Sequence, residues 1–183
     1  MKHILLIATG GTIASRPTEN GLAPQLLADD ILRCVPALGS LCRIDAVQPM
    51  NIDSTNMSPD CWLALADCLR AHYDQYDGFV IAHGTDTMAY TASALSFMLE
   101  NVTLPVVLTG SQLPLADPLS DGLENIRTAL AMAASGHAGV FVAFNRQILL
   151  GTRAVKVRTT NFQAFESVNV KPVGWIDSRG LNI

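Results

Sequence analysis

Charge is scarce in this sequence. Only 15% of its 183 residues are Asp, Glu, Lys or Arg, and the formal net charge is −4. Disordered chains need high charge with low hydrophobicity, whereas hydrophobic residues here make up 49%, so a disordered chain is excluded. The charge balance is mildly acidic, and no basic stripe is present to neutralise phosphates, so no nucleic acid partner is expected. Long apolar runs are missing too. The run from Ile4 to Ala8 falls far short of the roughly 18–20 residues that cross a bilayer, so no membrane association is expected. The start, Met1-Lys2-His3 followed by that short run and Gly10-Gly11, is not the pattern of a secretory signal. Cys34, Cys42, Cys61 and Cys68 form no C-x-x-C pair and have no His at zinc-ligand spacing. They read as small packing residues of a cytoplasmic protein.

What is present is alternation of short apolar runs with helical patterns, the signature of an α/β fold. A chain of this length is expected to form one domain with a substantial core. Strands are expected at His3–Ala8, Leu41–Gln48, Gly78–Ala82 and Pro105–Leu108, the first a near-continuous apolar run of the kind buried on both faces. Helices are expected at Leu26–Val35, from Ser58-Pro59 to about His72, at Thr87–Glu100 and at Gly122–Ser135. Gly139–Phe144 and Gln147–Leu150 flank Asn145-Arg146 and read as a hairpin. Residues 9–24 read as a long polar loop, and the last stretch of the chain is less regular.

Ligands of an open parallel sheet bind beyond the carboxyl ends of its strands. Four segments fall there: Thr9-Gly10-Gly11-Thr12, Asp53-Ser54-Thr55-Asn56, His83-Gly84-Thr85-Asp86 and Thr109-Gly110-Ser111-Gln112. All carry hydroxyls or carboxylates, and three carry Gly, which permits close backbone approach. Together they point to one polar site. Its titratable candidates are Asp53, His83, Asp86 and Asp117. A Thr hydroxyl needs a base or relay to act as a nucleophile. Asp86 beside Thr85 suits a relay, with Lys156 or Lys171 as the lysine that completes it. Spacing leaves that choice open. Thr9–Thr12 lacks the G-x-G-x-x-G and G-K-[ST] patterns of nucleotide loops. Ser111 is not in a G-x-S-x-G elbow. His83 at a strand end reads as a hydrogen-bonded structural group before a general base, and the Trp62 face of its helix reads as core.

The segments TGGTIAS at 9–15, NIDST at 51–55, HGTDTMAYTASALSFMLEN at 83–101 and VLTGSQLP at 107–114 resemble the bacterial-type L-asparaginases, most closely the cytoplasmic type I group. The resemblance continues through RAVKVR at 153–158 and FQAFESVN at 162–169. It implies a three-layer α/β/α domain with an open, mostly parallel, Rossmann- or flavodoxin-like sheet. It also implies an amidohydrolase that converts L-asparagine to L-aspartate and ammonia through a threonine acyl-enzyme, without metal or organic cofactor.

By motif position, the resemblance makes Thr12 the nucleophile and Thr85, Asp86 and Lys156 its relay. It places Asp53, Ser54, Thr55, Gly84 and Gly11 around the substrate, with Ser54 at the α-carboxylate and Asp86 also at the α-ammonium. The Gly11 and Thr85 N–H groups become the expected oxyanion donors. Two departures stand out. Leu22 occupies the place where many members carry a lid tyrosine. The chain also corresponds to the N-terminal catalytic domain, 1–183, with an interdomain linker beginning at about 170 and the family's smaller second domain lacking. Self-association as a dimer or tetramer is expected. A non-catalytic amino-acid-binding domain, or an incomplete fragment on the same scaffold, is the alternative.

Overall fold

A computed structural model describes residues 1–18, 21–24, 31, 33 and 42–183. Its centre is an eight-stranded sheet. Five strands run parallel: β1 (Lys2–Ala8), β4 (Cys42–Val47), β5 (Gly78–Ala82), β6 (Pro105–Thr109) and β7 (Gly139–Phe144). Their spatial order is β4-β1-β5-β6-β7, the doubly wound arrangement in which the winding reverses beside the first strand. β8 (Gln147–Leu150) turns back antiparallel on β7, and β11 (Gly174–Asp177) and β12 (Gly180–Asn182) extend the sheet. The β7–β8 turn is the expected hairpin: Asn145 and Arg146 have φ of 47° and 62°, the two positive values of a type I′ turn.

The central strands are apolar throughout because both faces are covered. Leu5, Ile7, Phe79, Ile81, Val106 and Leu108 point to one face. There they meet α1 (Pro59–His72), through Leu65, Ala66 and Leu69, and α2 (Met88–Met98), through Met88, Ala92 and Leu95. Ile4, Leu6, Val80 and Val107 point to the other face. They pack on α3 (Gly122–Ala134) through Ile126, Ala129, Leu130 and Ala133. The result is the three-layer α/β/α architecture that the resemblance implies, with two cores separated by one sheet.

Two expectations are corrected. Residues 9–24 are not wholly a loop: a 3-10 turn at Thr12–Ala14 leads into an antiparallel pair, β2 (Ser15–Thr18) and β3 (Gly21–Pro24), with Pro17 opposite Leu22. A two-stranded ribbon outside the main sheet tolerates Pro, which hid the strand pattern. The irregular last stretch holds β9 (Ala154–Lys156) paired with β10 (Phe165–Ser167), as well as β11 and β12. Of the helix expected at Leu26–Val35, Ile31 and Arg33 are helical, and the remainder lies outside the described residues. Among the described residues no helix is long and apolar enough to cross a membrane.

Candidate active site

The reversal of winding lies between β1 and β5, and the loops leaving the carboxyl ends of those two strands carry Thr12 and Thr85. They are pressed together. A Cβ on Gly84 would lie 3.3 Å from the Gly11 Cα and 2.5 Å from Ser54 Oγ. A Cβ on Gly11, whose φ is +76°, would collide with the Gly84 backbone. Only paired glycines permit this approach. Thr12 and Thr85 directly follow the two glycines, so the contact sets both hydroxyl residues at one edge. The loop after β4 joins them: Gly10 bridges Ile52 in parallel, and Thr87 Oγ1 donates to the Ser54 carbonyl at 2.8 Å. Gly110 of the fourth loop backs onto His83, with room for no side chain between them.

Lys156 completes the arrangement. Its Nζ donates to Thr85 Oγ1 at 2.8 Å and to Asp86 Oδ1 at 2.7 Å. The lysine side chain is 15% exposed and that of Asp86 57% exposed, so the ammonium sits inside and its carboxylate partner faces solvent. Lys156 arrives on β9, which packs over α2 outside the sheet. Lys171 is exposed and is not the lysine that meets Thr85. Thr85 and Ser54 are buried, and Thr12 is half-buried.

The remaining candidates divide by their partners. Asp53 Oδ1 accepts from the Thr55 N–H and from Thr55 Oγ1, both at 2.9 Å, capping a 3-10 turn at Ser54–Asn56. Asp53 and Thr55 thus hold the turn that presents the buried Ser54. The Gly11 N–H donates to the Ile52 carbonyl at 3.1 Å. The oxyanion donor expected there is therefore already paired, and the part Gly11 plays is close approach. Asp117 caps a turn by accepting from the Leu119 N–H at 2.8 Å. His83 is fully buried, which pushes its pKa down to about 4 by desolvation. A neutral imidazole with both nitrogens engaged is the structural group the sequence suggested.

Two further side chains hold the site together in ways no local spacing specifies. The Gln112 Nε2 donates to the carbonyls of Thr159 at 2.9 Å and Asn161 at 3.1 Å. That fixes the amide so that Oε1 faces the Thr85 hydroxyl, 3.5 Å away. Gln112 therefore ties the segment following Lys156 to the loop beyond β6. Asn125, buried in α3, donates from Nδ2 to the Gly110 carbonyl at 2.9 Å and accepts from the Asn145 N–H at 2.8 Å. Only the folded proximity of β6 and the β7–β8 turn reveals that role.

In chemical terms the edge offers hydroxyls, one half-buried and one buried, and an ammonium hydrogen-bonded to the buried one. A carboxylate neutralises that ammonium. Such a combination is chemically suited to moving a proton to and from a hydroxyl oxygen when the lysine is in its amine form.

Residues 3–183 match the family model described as asparaginase, N-terminal. The chain is 46% identical over 178 residues to the L-asparaginase of Thermococcus kodakarensis, covering 94% of this chain and 53% of that protein. It is 43% identical over 180 residues to L-asparaginase 1 of Escherichia coli, covering 94% of this chain and 52% of that protein. A solved structure of the thermostable L-asparaginase from Thermococcus kodakarensis superposes with a TM-score of 0.90 at 44% identity, over 99% of this chain and 56% of that one. The chain thus spans about half the length of the curated relatives it matches.

Proposed function

The chain belongs to the asparaginase family, whose N-terminal domain it matches from residue 3 to residue 183, and on that premise we propose that it hydrolyses L-asparagine to L-aspartate and ammonia. The observation that carries the proposal is the bond pair from Lys156 Nζ to Thr85 Oγ1 and Asp86 Oδ1, at the strand ends where the winding reverses. A domain that only binds an amino acid needs no such proton path.

In the proposed reaction Thr12 Oγ attacks the side-chain amide carbon. A new C–O bond forms as the Thr12 proton passes to Thr85 Oγ1 and the Thr85 proton passes to Lys156 Nζ, which takes it up as the neutral amine and becomes the ammonium that Asp86 balances. The tetrahedral intermediate collapses, the C–N bond breaks, and the leaving nitrogen takes up that proton to depart as ammonia. Water then attacks the ester, giving one proton to the relay and finally to Thr12 Oγ as aspartate leaves. Asp86 balances the lysine charge and pairs with the substrate α-ammonium, while Ser54 holds the α-carboxylate with Thr55 lining the same pocket, on the turn that Asp53 caps. The Thr85 N–H faces the developing oxyanion. Glutamine is the slower substrate, because one methylene changes binding by only about 1–3 kcal/mol.

In that reading residues 1–183 form the nucleophile-bearing domain, and the stretch from about 170, expected to begin a linker, instead extends the sheet as β11 and β12. We place the protein in the cytoplasm as a homo-oligomer. Tyr90 and Phe97 on α2 are 66% and 77% exposed and supply apolar surface for that association, which sedimentation would detect at micromolar concentration. The decisive test is ammonia release from L-asparagine by the purified assembly, alongside Thr12→Val. Turnover that vanishes in Thr12→Val while aspartate still binds supports the proposal. Absence of turnover in the well-folded unaltered assembly overturns it, and aspartate binding without turnover would favour an amino-acid-binding domain.

A further inference from the structure

A line of hydrogen bonds runs through the buried layer behind the site. The Trp62 Nε1, on α1, is 3.0 Å from Thr91 Oγ1 on α2. Thr91 Oγ1 is 2.9 Å from His83 Nε2, and His83 Nδ1 is 2.7 Å from the Gly84 carbonyl oxygen. His83 and Thr91 are fully buried, so water cannot substitute for either partner. The ends set the direction of the whole line. An indole N–H only donates and a carbonyl oxygen only accepts. Thr91 therefore accepts from Trp62 and spends its single proton on His83 Nε2, and His83 carries its proton on Nδ1 and gives it to Gly84. Burial favours the neutral ring that this pattern requires.

We infer that Trp62, Thr91 and His83 are positioning residues, whose one-way hydrogen-bond line draws the Gly84 carbonyl inward and thereby aims the Thr85 N–H into the cleft. The step from carbonyl to N–H is covalent. The Gly84 C=O and the Thr85 N–H belong to one planar trans peptide unit and point in opposite directions. Anchoring the oxygen on the interior side turns the N–H to the other side, toward the Thr12 loop. A glycine is otherwise the residue least able to hold its own peptide plane. The catalytic part of this inference rests on the hydrolytic reading above; the hydrogen-bond direction does not.

The experiment has two arms. In nitrogen-15 NMR of the unaltered protein, His83 should show the Nδ1–H neutral tautomer between pH 5.5 and 8. Observation of the Nε2–H form overturns the inference whether or not the protein hydrolyses any amide. In the kinetic arm, Thr91→Val removes the link at nearly constant shape and Thr91→Ser retains it. A donor aimed at an oxyanion contributes about 10²–10³-fold when deleted outright, so a misaimed one should cost kcat about tenfold, with KM changed less than about twofold. Thr91→Ser should restore kcat to within about twofold. A folded Thr91→Val with unaltered kcat overturns the positioning role. If Thr91→Val does not fold, Trp62→Phe breaks the same line at its outer end. There, an unchanged kcat counts against the role in the same way, and a lowered kcat at constant KM supports it. No amide turnover by the unaltered protein, with the Nδ1–H tautomer present, would instead refute the hydrolytic reading alone.

Discussion

Gly84 faces Ser54 so closely that a Cβ on the glycine would stand 2.6 Å from the Ser54 Cβ and 2.5 Å from its Oγ. The loops after β1 and β5 and the Ser54 turn are therefore one packed unit, and a methyl group between them has nowhere to go. Gly84→Ala should lose most activity and about 1–3 kcal/mol of stability through overpacking. For a domain of this size that is about 2–4 °C of Tm per kcal/mol. Calorimetry and initial rates check this, and Ser54→Gly in the Gly84→Ala background should recover part of the Tm without recovering activity. An unchanged Tm for Gly84→Ala would mean the loops are not in contact.

The Lys156–Asp86 pair is lopsided, with the ammonium sheltered and the carboxylate largely in solvent. Lys156→Met should lower kcat by roughly 10²–10⁴-fold, the range of general acid–base contributions. It should leave Tm nearly unchanged, because Asp86 stays hydrated. Asp86→Ala strands a sheltered charge beside a neutral hydroxyl, so it should be the more destabilising of the two. Thermal melts of both variants decide the order. The reverse order would place the burial on the carboxylate.

His83 makes stability depend on pH. Its folded pKa is held down to about 4, below its ordinary 6.5, so between these values the unfolded chain binds the extra proton. Stability is complete above about pH 6.5 and is lost as pH falls toward 4, by on the order of 3 kcal/mol from this group. Asp45, where the upward push of burial is outweighed by hydrogen bonds from His3 and Tyr76, and Asp77, which accepts from the His3 N–H and then from Lys2, are held below the usual carboxylate value of 3.8 and lose their contribution only in more acid solution. Unfolding free energies from pH 7.5 to 4.5 should slope upward with pH, and His83→Gln should flatten that slope. An equal slope in both proteins would remove His83 as its source.

Asn125 holds Gly110 and Asn145 together from inside α3. Asn125→Leu keeps the bulk but leaves the buried Gly110 carbonyl without its partner, at about 1–3 kcal/mol, while the exposed Asn145 N–H can turn to water. Denaturant midpoints should fall accordingly. A shift under about 0.5 kcal/mol, the level of ordinary surface changes, would show that neither bond matters.

The strands buried on both faces were legible because continuous apolar runs such as Gly78–Ala82 and Pro105–Thr109 have few other uses. The loops at their carboxyl ends followed from topology. Short strands were not legible. β9 and β10 have three residues each and partly exposed faces, too little for a period to register. Among the candidate site residues, the choice of Lys156 over Lys171 came from family resemblance, and the fold supplies the physical reason: β9 lies on α2 while Lys171 stays at the surface. The mistaken expectation for the Gly11 N–H has a similar origin. Its pairing with Ile52 depends on the lateral distance between β1 and β4, which no local motif encodes. Gln112, Asn125 and Thr91 act between elements distant in sequence, so their roles exist only in three dimensions.

The lysine that meets Thr85 is 71 residues away along the chain, beyond the point where the sheet turns back on itself at Asn145-Arg146. The Lys156–Thr85 contact therefore closes through high sequence separation, the kind of contact that forms late in folding. A refolding chain can regain its far-ultraviolet signal and much of its buried surface while β9 is still undocked, and during that interval the proposed reaction lacks the lysine that completes its relay. Recovery of activity then lags recovery of secondary structure, and the lag measures the docking of a single three-residue strand onto α2.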